Sequence, residues 1–258
     1  KNVINSRVGI FSGCIMDVSE PVIHDSTLHL LRHLDFEVVI PEDQMCCGAL
    51  HVHNGDRKTA RKFALKNLNV FESFKLDAII TNSAGCGAQL NEYHILFENE
   101  YHQYEKKITN LENKVIDIME FLSNQLEKLK KLEWRSDKDI ILYDSPCHLV
   151  HAQKVDKNPM NLLNSLPGVI LIPIEESESC CGSAGIYNLT QPALSMAILD
   201  RKTKFIVEAL SQFKNVKTIV TGNPGCIYQL RAGVKMKGLN INVIHPINYL
   251  ANRLKKNE

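Results

Sequence analysis

The sequence predicts an α/β protein made of two pseudo-symmetric lobes, each built on a mostly parallel sheet. Three observations carry this. Short apolar runs alternate with longer amphipathic segments along the 258 residues, the order in which strands and crossover helices succeed one another in a parallel sheet. Six of those runs lead into cysteine-bearing loops, and the ends of parallel strands are where such sheets hold ligands. The cysteines also repeat: Cys14, Cys46-Cys47-Gly48 and Cys86 in the first half answer Cys147, Cys180-Cys181-Gly182 and Cys226 in the second, at offsets of 133, 134 and 140 residues. A near-constant offset at three landmarks indicates an internal duplication.

Arg7 to Ser12 reads as a buried strand that delivers Gly13-Cys14 at its carboxyl end. Pro21 opens a helix whose apolar positions Val22, Leu28, Leu31 and Leu34 fall near one face. Glu37 to Ile40 is the second strand, stopped by Pro41, and the loop after it carries Cys46-Cys47-Gly48. Ala60, Phe63, Ala64, Leu68 and Phe71 recur at helical spacing between Asn54 and Phe74. Asp77 to Thr81 is the third strand, followed by Ser83-Ala84-Gly85-Cys86 and a helix from Gln89 to Glu98. Between Glu98 and Asp139 the chain is highly charged, and Leu111, Val115, Ile118, Leu122, Leu126 and Leu129 form a stripe expected as a helix that covers the sheet and links the halves.

The pattern then restarts. Asp139 to Tyr143 is a strand leading to Asp144-Ser145-Pro146-Cys147-His148, Val169 to Pro173 leads to Cys180-Cys181-Gly182, and Thr218 to Thr221 leads to Gly222-Asn223-Pro224-Gly225-Cys226. Helices are expected near Pro159 to Leu166 and Gln191 to Phe213, with a last strand at Asn242 to His245 and a last helix at Ile247 to Leu254. The expected domains are a first cysteine-rich lobe over 1–100, a helical linker over 101–138 and a second cysteine-rich lobe over 139–258.

Composition excludes several function classes. A formal charge of +1 leaves no basic surplus, which removes nucleic acid as a partner. No apolar run approaches the roughly 18 to 20 residues that span a bilayer, and the N-terminus shows no signal-peptide pattern. A cytoplasmic protein is expected, at most peripheral to the inner face of the cell membrane. Eight cysteines in such a chain point to metal binding or redox work rather than to structural disulfides.

Adjacent side chains diverge on helices and strands, so the Cys-Cys pairs ask for an unusual turn and a shared ligand. The halves read Cys-x31-Cys-Cys-x38-Cys and Cys-x32-Cys-Cys-x44-Cys, which offers four sulfurs from three loops in each. Four thiolates suit Zn²⁺ or an iron–sulfur cluster. There is no Cys-x-x-Cys of the zinc-ribbon kind, and neighbouring sulfurs favour a polynuclear centre over one small ion. Buried inert thiols and vicinal disulfides are the bland alternatives. His51, His53, His148 and His151 flank the cysteine loops, where an imidazole could hydrogen-bond a cluster, take up a proton, face a quinone, or simply cap a loop. His51 and His148 are the stronger candidates for cofactor contact, and His245 is expected to be structural.

At these residues the chain resembles the cysteine-rich CCG domain family. Cys46-Cys47-Gly48-Ala49-Leu50-His51, Asn82-Ser83-Ala84-Gly85-Cys86-Gly87, Pro146-Cys147-His148-Leu149-Val150-His151-Ala152-Gln153, Cys180-Cys181-Gly182-Ser183-Ala184-Gly185-Ile186-Tyr187-Asn188 and Gly222-Asn223-Pro224-Gly225-Cys226 look like the signatures of the C-terminal part of glycolate oxidase iron–sulfur subunits. The resemblance covers nearly the whole chain. It implies Rossmann-like lobes, with Cys14, Cys46, Cys47, Cys86, Cys147, Cys180, Cys181 and Cys226 as metal ligands. The implied cofactor is an iron–sulfur cluster of the 4Fe–4S type, with zinc as the alternative. The implied function is an electron relay from a flavin-containing hydroxy-acid dehydrogenase subunit toward quinone at the membrane surface, without dehydrogenase activity of its own. A zinc-holding assembly module, a lactate-utilisation subunit and a heterodisulfide-reductase-like subunit are the alternatives.

The sequence departs from the family pattern in two ways. Ser83 and Asn223 stand where the five-cysteine pattern has a further cysteine, which leaves four ligands per half and puts the non-cubane clusters of heterodisulfide reductases in doubt. The ferredoxin-like Cys-x2-Cys-x2-Cys-x3-Cys-Pro repeats that usually precede the domain in glycolate oxidase subunits are not in this sequence.

Overall fold

The computed structural model describes residues 6–255. The chain divides into two compact units, the first ending at Phe121 and the second beginning at Leu122. The first contains β1 (Arg7–Phe11), α1 (Ile15–Ser19), α2 (Pro21–His33), β2 (Glu37–Val39), α3 (Ala49–His53), α4 (Arg57–Glu72), β3 (Ala78–Thr81), α5 (Ala84–Leu90), α6 (Tyr93–Leu96), α7 (Tyr101–Glu112) and β4 (Val115–Asp117). Helix α8 (Ile118–Ser123) runs across the boundary. The second unit holds α9 (Leu126–Leu129), β5 (Asp139–Tyr143), a π-helical turn at His148–Ala152, α10 (Lys157–Asn164), β6 (Val169–Pro173), α11 (Tyr187–Thr190), α12 (Pro192–Gln212), β7 (Thr218–Val220), α13 (Pro224–Met236), β8 (Asn242–Ile244) and α14 (Pro246–Arg253).

Each unit has one four-stranded sheet, ordered β2-β1-β3-β4 in the first and β6-β5-β7-β8 in the second, and every pairing is parallel. The duplicated α/β architecture read from the sequence is therefore present. The registers pair Gly9 with Ile79 and Ile80 with Ile116 in the first sheet, and Leu142 with both Ile172 and Ile219 in the second. In this order the chain leaves β1 toward one edge and returns to β3 on the other side. Residues past β1 and β3, and likewise past β5 and β7, thus flank a topological switch point, the crevice where doubly wound sheets bind ligands.

Alternation of apolar residues decides the packing. The central strands are buried on both faces, with Val8, Ile10, Ile80, Ile141, Leu142 and Ile219 fully or almost fully enclosed. On the first sheet, Ala60, Ala64, Leu68 and Phe71 of α4 pack with Phe11, Ile79, Tyr93 and Phe97, in a core that also takes in Cys47. Gly9 leaves room for this packing, since a Cβ there would lie 2.6 Å from Leu76 Cδ1 and push that side chain aside. In the second unit, Leu199 and Ile206 of α12, Ile227 and Leu230 of α13, and Ile247 and Leu250 of α14 are buried.

The segment expected as a helical linker is different. Helix α7 stops at Glu112, and Val115–Asp117 then forms β4, pairing with β3 through Ile79↔Val115, Ile80↔Ile116 and Thr81↔Asp117. The apolar stripe fits a helical period, but β-branched Val115 and Ile116 gain a ladder and a buried face by joining the sheet edge, a tertiary gain that overrides periodicity. The strand is the first unit's counterpart of β8. The duplication thus includes a fourth strand in both units, followed by α8 in one and α14 in the other. The expected helix from Gln89 to Glu98 is also corrected: α5 begins at Ala84 and α6 ends at Leu96, which places Cys86 inside the first turn of α5.

Candidate metal centre

In the first unit the thiols come from three strand ends. Gly13, at φ +72°, turns the chain out of β1, and Cys14 follows it exposed. Cys46 and Cys47 lie in the loop after β2, closed by Gly48 at φ +91° just before α3. Cys86 follows β3, where Ser83 caps α5 by accepting the Cys86 N–H at 3.4 Å. The four sulfurs form a hydrogen-bonded chain in the order Cys14, Cys46, Cys47, Cys86, with Cys14 Sγ donating to Cys46 Sγ at 3.2 Å.

The second unit repeats this arrangement. Cys147 follows β5, Cys180 and Cys181 follow β6, with Gly182 at φ +93°, and Cys226 lies in the first turn of α13. The order of contacts is Cys147, Cys180, Cys181, Cys226, with Cys181 Sγ donating to Cys226 Sγ at 3.2 Å. The structure thus brings together all eight cysteines in two sets of four, and all eight carry free thiols.

Both sets are polarised in the same way. Hydrogen bonds from Cys14 and Cys47, helped by the Gly48 N–H at 3.4 Å and the charge of His51, hold the Cys46 thiol down to about 2. Hydrogen bonds from Cys147 and Cys181, with the Gly182 N–H at 3.3 Å and the charge of His148, do the same for Cys180. The donating thiols move the other way: the bonds they give and burial push Cys14, Cys47, Cys147 and Cys181 up. A hydrogen bond from Cys47, with further help from Ser83, lowers Cys86. In each set the first sulfur of the Cys-Cys pair is thus the one whose pKa its neighbours lower most, because it accepts from the thiols on both sides.

The donors match the needs of a metal in kind. Each unit presents four sulfurs and directs N–H groups at them, including Ala49 N–H to Cys47 Sγ at 3.5 Å, which is the environment a thiolate-ligated centre needs. A tetrahedral zinc site with Zn–S bonds of about 2.3 Å would separate its sulfurs by about 3.8 Å, wider than the 3.2 Å thiol contacts. Among the described residues, no three His, Cys, Asp or Glu side chains are placed to hold a metal ion as they stand. The chemistry of the donors fits a sulfur-ligated centre, and the thiols must part from one another to take it.

Ser83 and Asn223, which occupy the fifth ligand positions, serve the remaining cysteines. Ser83 supports Cys86, and Asn223 Nδ2 donates to Cys226 Sγ at 3.6 Å. His148 Nδ1 lies 3.6 Å from Cys147 Sγ. The His51 ring stands edge-on to Phe63 with centroids 5.0 Å apart, and its buried Nδ1 has no hydrogen-bond partner. His151 Nε2 meets Glu178 O at 3.2 Å, while His53 is exposed. His245 is buried and caps α14, accepting the Ile247 N–H at 3.1 Å.

Sequence reasoning missed the residues that hold the loops. Asn67 of α4 accepts the Met45 N–H at 2.7 Å and donates to Cys46 O at 3.1 Å, and Tyr93 donates its hydroxyl to Cys47 O at 3.1 Å. Gln44 accepts the Ser12 N–H at 2.9 Å and donates to Ile10 O at 3.2 Å, which ties the Cys46 loop to the end of β1. The signal that could have found them was a polar residue on an apolar helical stripe, Asn67 beside Ala64, Leu68 and Phe71.

Comparisons with known proteins show the family. The family model for the cysteine-rich domain, CCG, matches residues 8–91 and again 141–231, one match in each unit. The chain is 35% identical over 246 residues to the probable glycolate oxidase iron–sulfur subunit of Bacillus subtilis, covering 94% of this chain and 53% of that protein. It is 31% identical to a subunit of the fumarate reductase (CoM/CoB) of Methanothermobacter marburgensis, covering 91% of this chain and 43% of the other. The chain therefore spans about half the length of these two relatives. Lactate utilization protein A of a Geobacillus species is 26% identical and is matched over its full length. Among solved structures, a hypothetical protein from Helicobacter pylori superposes with a TM-score of 0.67 at 10% identity, over 99% of this chain and 50% of that one, a likeness of fold alone.

Proposed function

Because this chain belongs to the cysteine-rich CCG domain family, we propose that it is the iron–sulfur electron-transfer part of a multi-subunit oxidoreductase. The observation that carries the reading is the pair of four-thiol sets, each assembled at a sheet switch point and each centred on a lowered Cys-Cys thiolate. When bound, an iron–sulfur cluster supplies a site that accepts and releases single electrons. The chain's own residues would hold it through Cys14, Cys46, Cys47 and Cys86 in one unit and through Cys147, Cys180, Cys181 and Cys226 in the other. The N–H groups of Gly48, Ala49 and Gly182, with the Asn223 amide, donate to these sulfurs. Hydrogen bonds of this kind favour the more negative, reduced state of a sulfur-ligated centre and so raise its potential.

The finer reading is oxidation of glycolate or a related 2-hydroxy acid on a flavin-containing partner, with electrons passing through this chain toward quinone. The names of the glycolate oxidase and lactate utilization relatives support the substrate class. Exposed apolar side chains beside the first site, Ile15 and Val18 of α1 and Val22 of α2, offer a partner a docking surface immediately after Cys14. Among the described residues, no helix is long and apolar enough to cross a membrane. His51 and His148, beside the two thiolates, would tune the centres or relay protons.

Anaerobic purification followed by iron, sulfide and zinc analysis tests the reading. The expected result is a coloured protein with iron and acid-labile sulfide that is bleached by reductant. A colourless chain with stoichiometric zinc, into which no iron can be reconstituted, would make the assembly-module alternative the correct one.

A further inference from the structure

Asp144 and Lys202 are each 1% exposed and form a buried ion pair, with Nζ 2.7 Å from Oδ1. The ammonium carries three protons, and three backbone carbonyls face it: Glu176 O at 3.3 Å, Ser177 O, and Ser179 O at 2.9 Å. Asp144 Oδ1 shares the ammonium with these carbonyls as its charge partner and has no other partner among the described residues. The second carboxylate oxygen accepts the Thr221 hydroxyl at 2.9 Å. Each of these groups adjoins a cysteine. Asp144 lies three residues before Cys147, Ser179 immediately precedes Cys180, and Thr221 lies five residues before Cys226. One buried pair therefore ties the ends of β5, β6 and β7, the three places from which the second unit draws its four thiols.

The first unit does the corresponding work without charge. Asn67 stands 20 residues after Cys47, as Lys202 stands 21 after Cys181. It holds Met45 N–H and Cys46 O and donates to the Tyr93 hydroxyl at 3.2 Å. A neutral clamp is evidently sufficient for this fold, and a buried ion pair is seldom the more stable choice, because desolvating both charges offsets their attraction. The charged clamp in the second unit calls for a reason at the site it holds.

We propose that Lys202, acting through Asp144, is the positioning residue of the second four-thiol site, and that it makes the two centres of this chain electrostatically unequal. The geometric half of the proposal concerns the thiols themselves. The electrostatic half rests on the reading of those thiols as cluster ligands. Lys202→Met alone would strand the Asp144 carboxylate in the interior and can unfold the unit, so the informative variant is Lys202→Met with Asp144→Asn. That pair removes both charges and keeps an acceptor for Thr221. A second variant, Lys202→Gln with Asp144→Asn, imitates the neutral clamp of Asn67.

The first measurement uses the full chain, metal-free, reduced and anaerobic, with iodoacetamide alkylation resolved residue by residue by mass spectrometry. In the Met/Asn variant, Cys147, Cys180, Cys181 and Cys226 should react about tenfold faster as the loops open locally, while Cys14, Cys46, Cys47 and Cys86 keep their rates. Circular dichroism establishes that the variant is folded. If it is not, the Gln/Asn variant carries the same comparison with a smaller rise. The second measurement is a redox titration of the reconstituted Gln/Asn variant, in which one centre should shift its midpoint potential and the other should not. A folded variant whose eight alkylation rates all match the parent overturns the positioning role. Unshifted potentials at both centres overturn the electrostatic inequality. If the parent chain takes up no iron and sulfide, the cluster reading fails, and the alkylation pattern still decides whether Lys202 positions the thiols.

Discussion

Gly48 and Gly182 close equivalent Cys-Cys turns at nearly the same left-handed φ, yet their surroundings differ. A Cβ on Gly182 would lie 2.5 Å from Ser195 O of α12, whereas one on Gly48 would meet Ala60 at 3.2 Å. Both positions are strained for any other residue, but only at Gly182 is a side chain driven into a helix carbonyl. Gly182→Ala should lower stability by about 2 to 4 kcal/mol and Gly48→Ala by about 1 to 2 kcal/mol, measured from denaturant midpoints; equal losses would contradict the packing difference. Asp117 illustrates a different residue-level effect. Burial raises its carboxyl to about 7, although the Met119 N–H at 2.8 Å works against the rise. The folded-state value lies above the ordinary 3.8, so between about pH 4 and pH 7 the unfolded chain ionises while the folded one stays neutral, and stability falls as pH rises. The penalty reaches a plateau above pH 7, on the order of 4 kcal/mol at most. Asp117→Asn keeps an acceptor for Met119 and removes the titration. Its stability advantage over the parent should therefore grow from pH 4 to pH 7 and then level off, and urea titrations at pH 4, 5.5 and 8 would reveal a flat difference if the burial argument were wrong.

At the scale of elements, α14 shows how one side chain secures a sheet from below. Arg253 is 3% exposed and donates to Arg135 O at 2.7 Å, Asp137 O at 2.9 Å and Pro167 O at 2.7 Å. These carbonyls precede β5 and β6, so the last helix fixes the amino ends of the two strands whose carboxyl ends carry Cys147 and Cys180. Arg253→Met leaves three carbonyls unsatisfied, and a loss of about 3 kcal/mol or more is expected by calorimetry or denaturant titration, with the first unit unaffected. Elements also differed in how legible they were. The strand at Arg7–Phe11 and the helix at Pro192–Gln212 were legible to within a residue at each end. Strand β4 was not, because Leu111, Val115 and Ile118 satisfy a helical period while the pairing that makes Val115 a strand residue lies on β3, 36 residues earlier. The polar members of apolar stripes, Asn67 on α4 and Lys202 on α12, went unread, because the loop groups they bind lie far away along the chain.

At the scale of the whole molecule, the duplication makes two sites that can be silenced one at a time. Cys46→Ser and Cys180→Ser each remove the central thiolate of one set, so each variant should retain about half of the parent's iron, and the double variant almost none. Full retention in both single variants would defeat the ligand assignment. What the linear order established is the part of the protein that is local or periodic: the strand runs, most helices, the repeated Cys, Cys-Cys-Gly, Cys frame and the offsets that mark the duplication. Such features are written in nearest neighbours and fixed spacings, and they survive without knowledge of the chain's path. Tertiary structure alone decided which polar groups support the thiols. Ser83 and Asn223 looked like missing ligands and proved to support the cysteines that remain, Ser83 Oγ by accepting the Cys86 N–H and the Asn223 amide by donating to Cys226 Sγ, and Asp144 met Lys202 only because the strand order β6-β5-β7 gathers three separated loop ends at one point. Hydrogen bonds and buried charges find partners by distance in space, and no spacing along the chain encodes that distance.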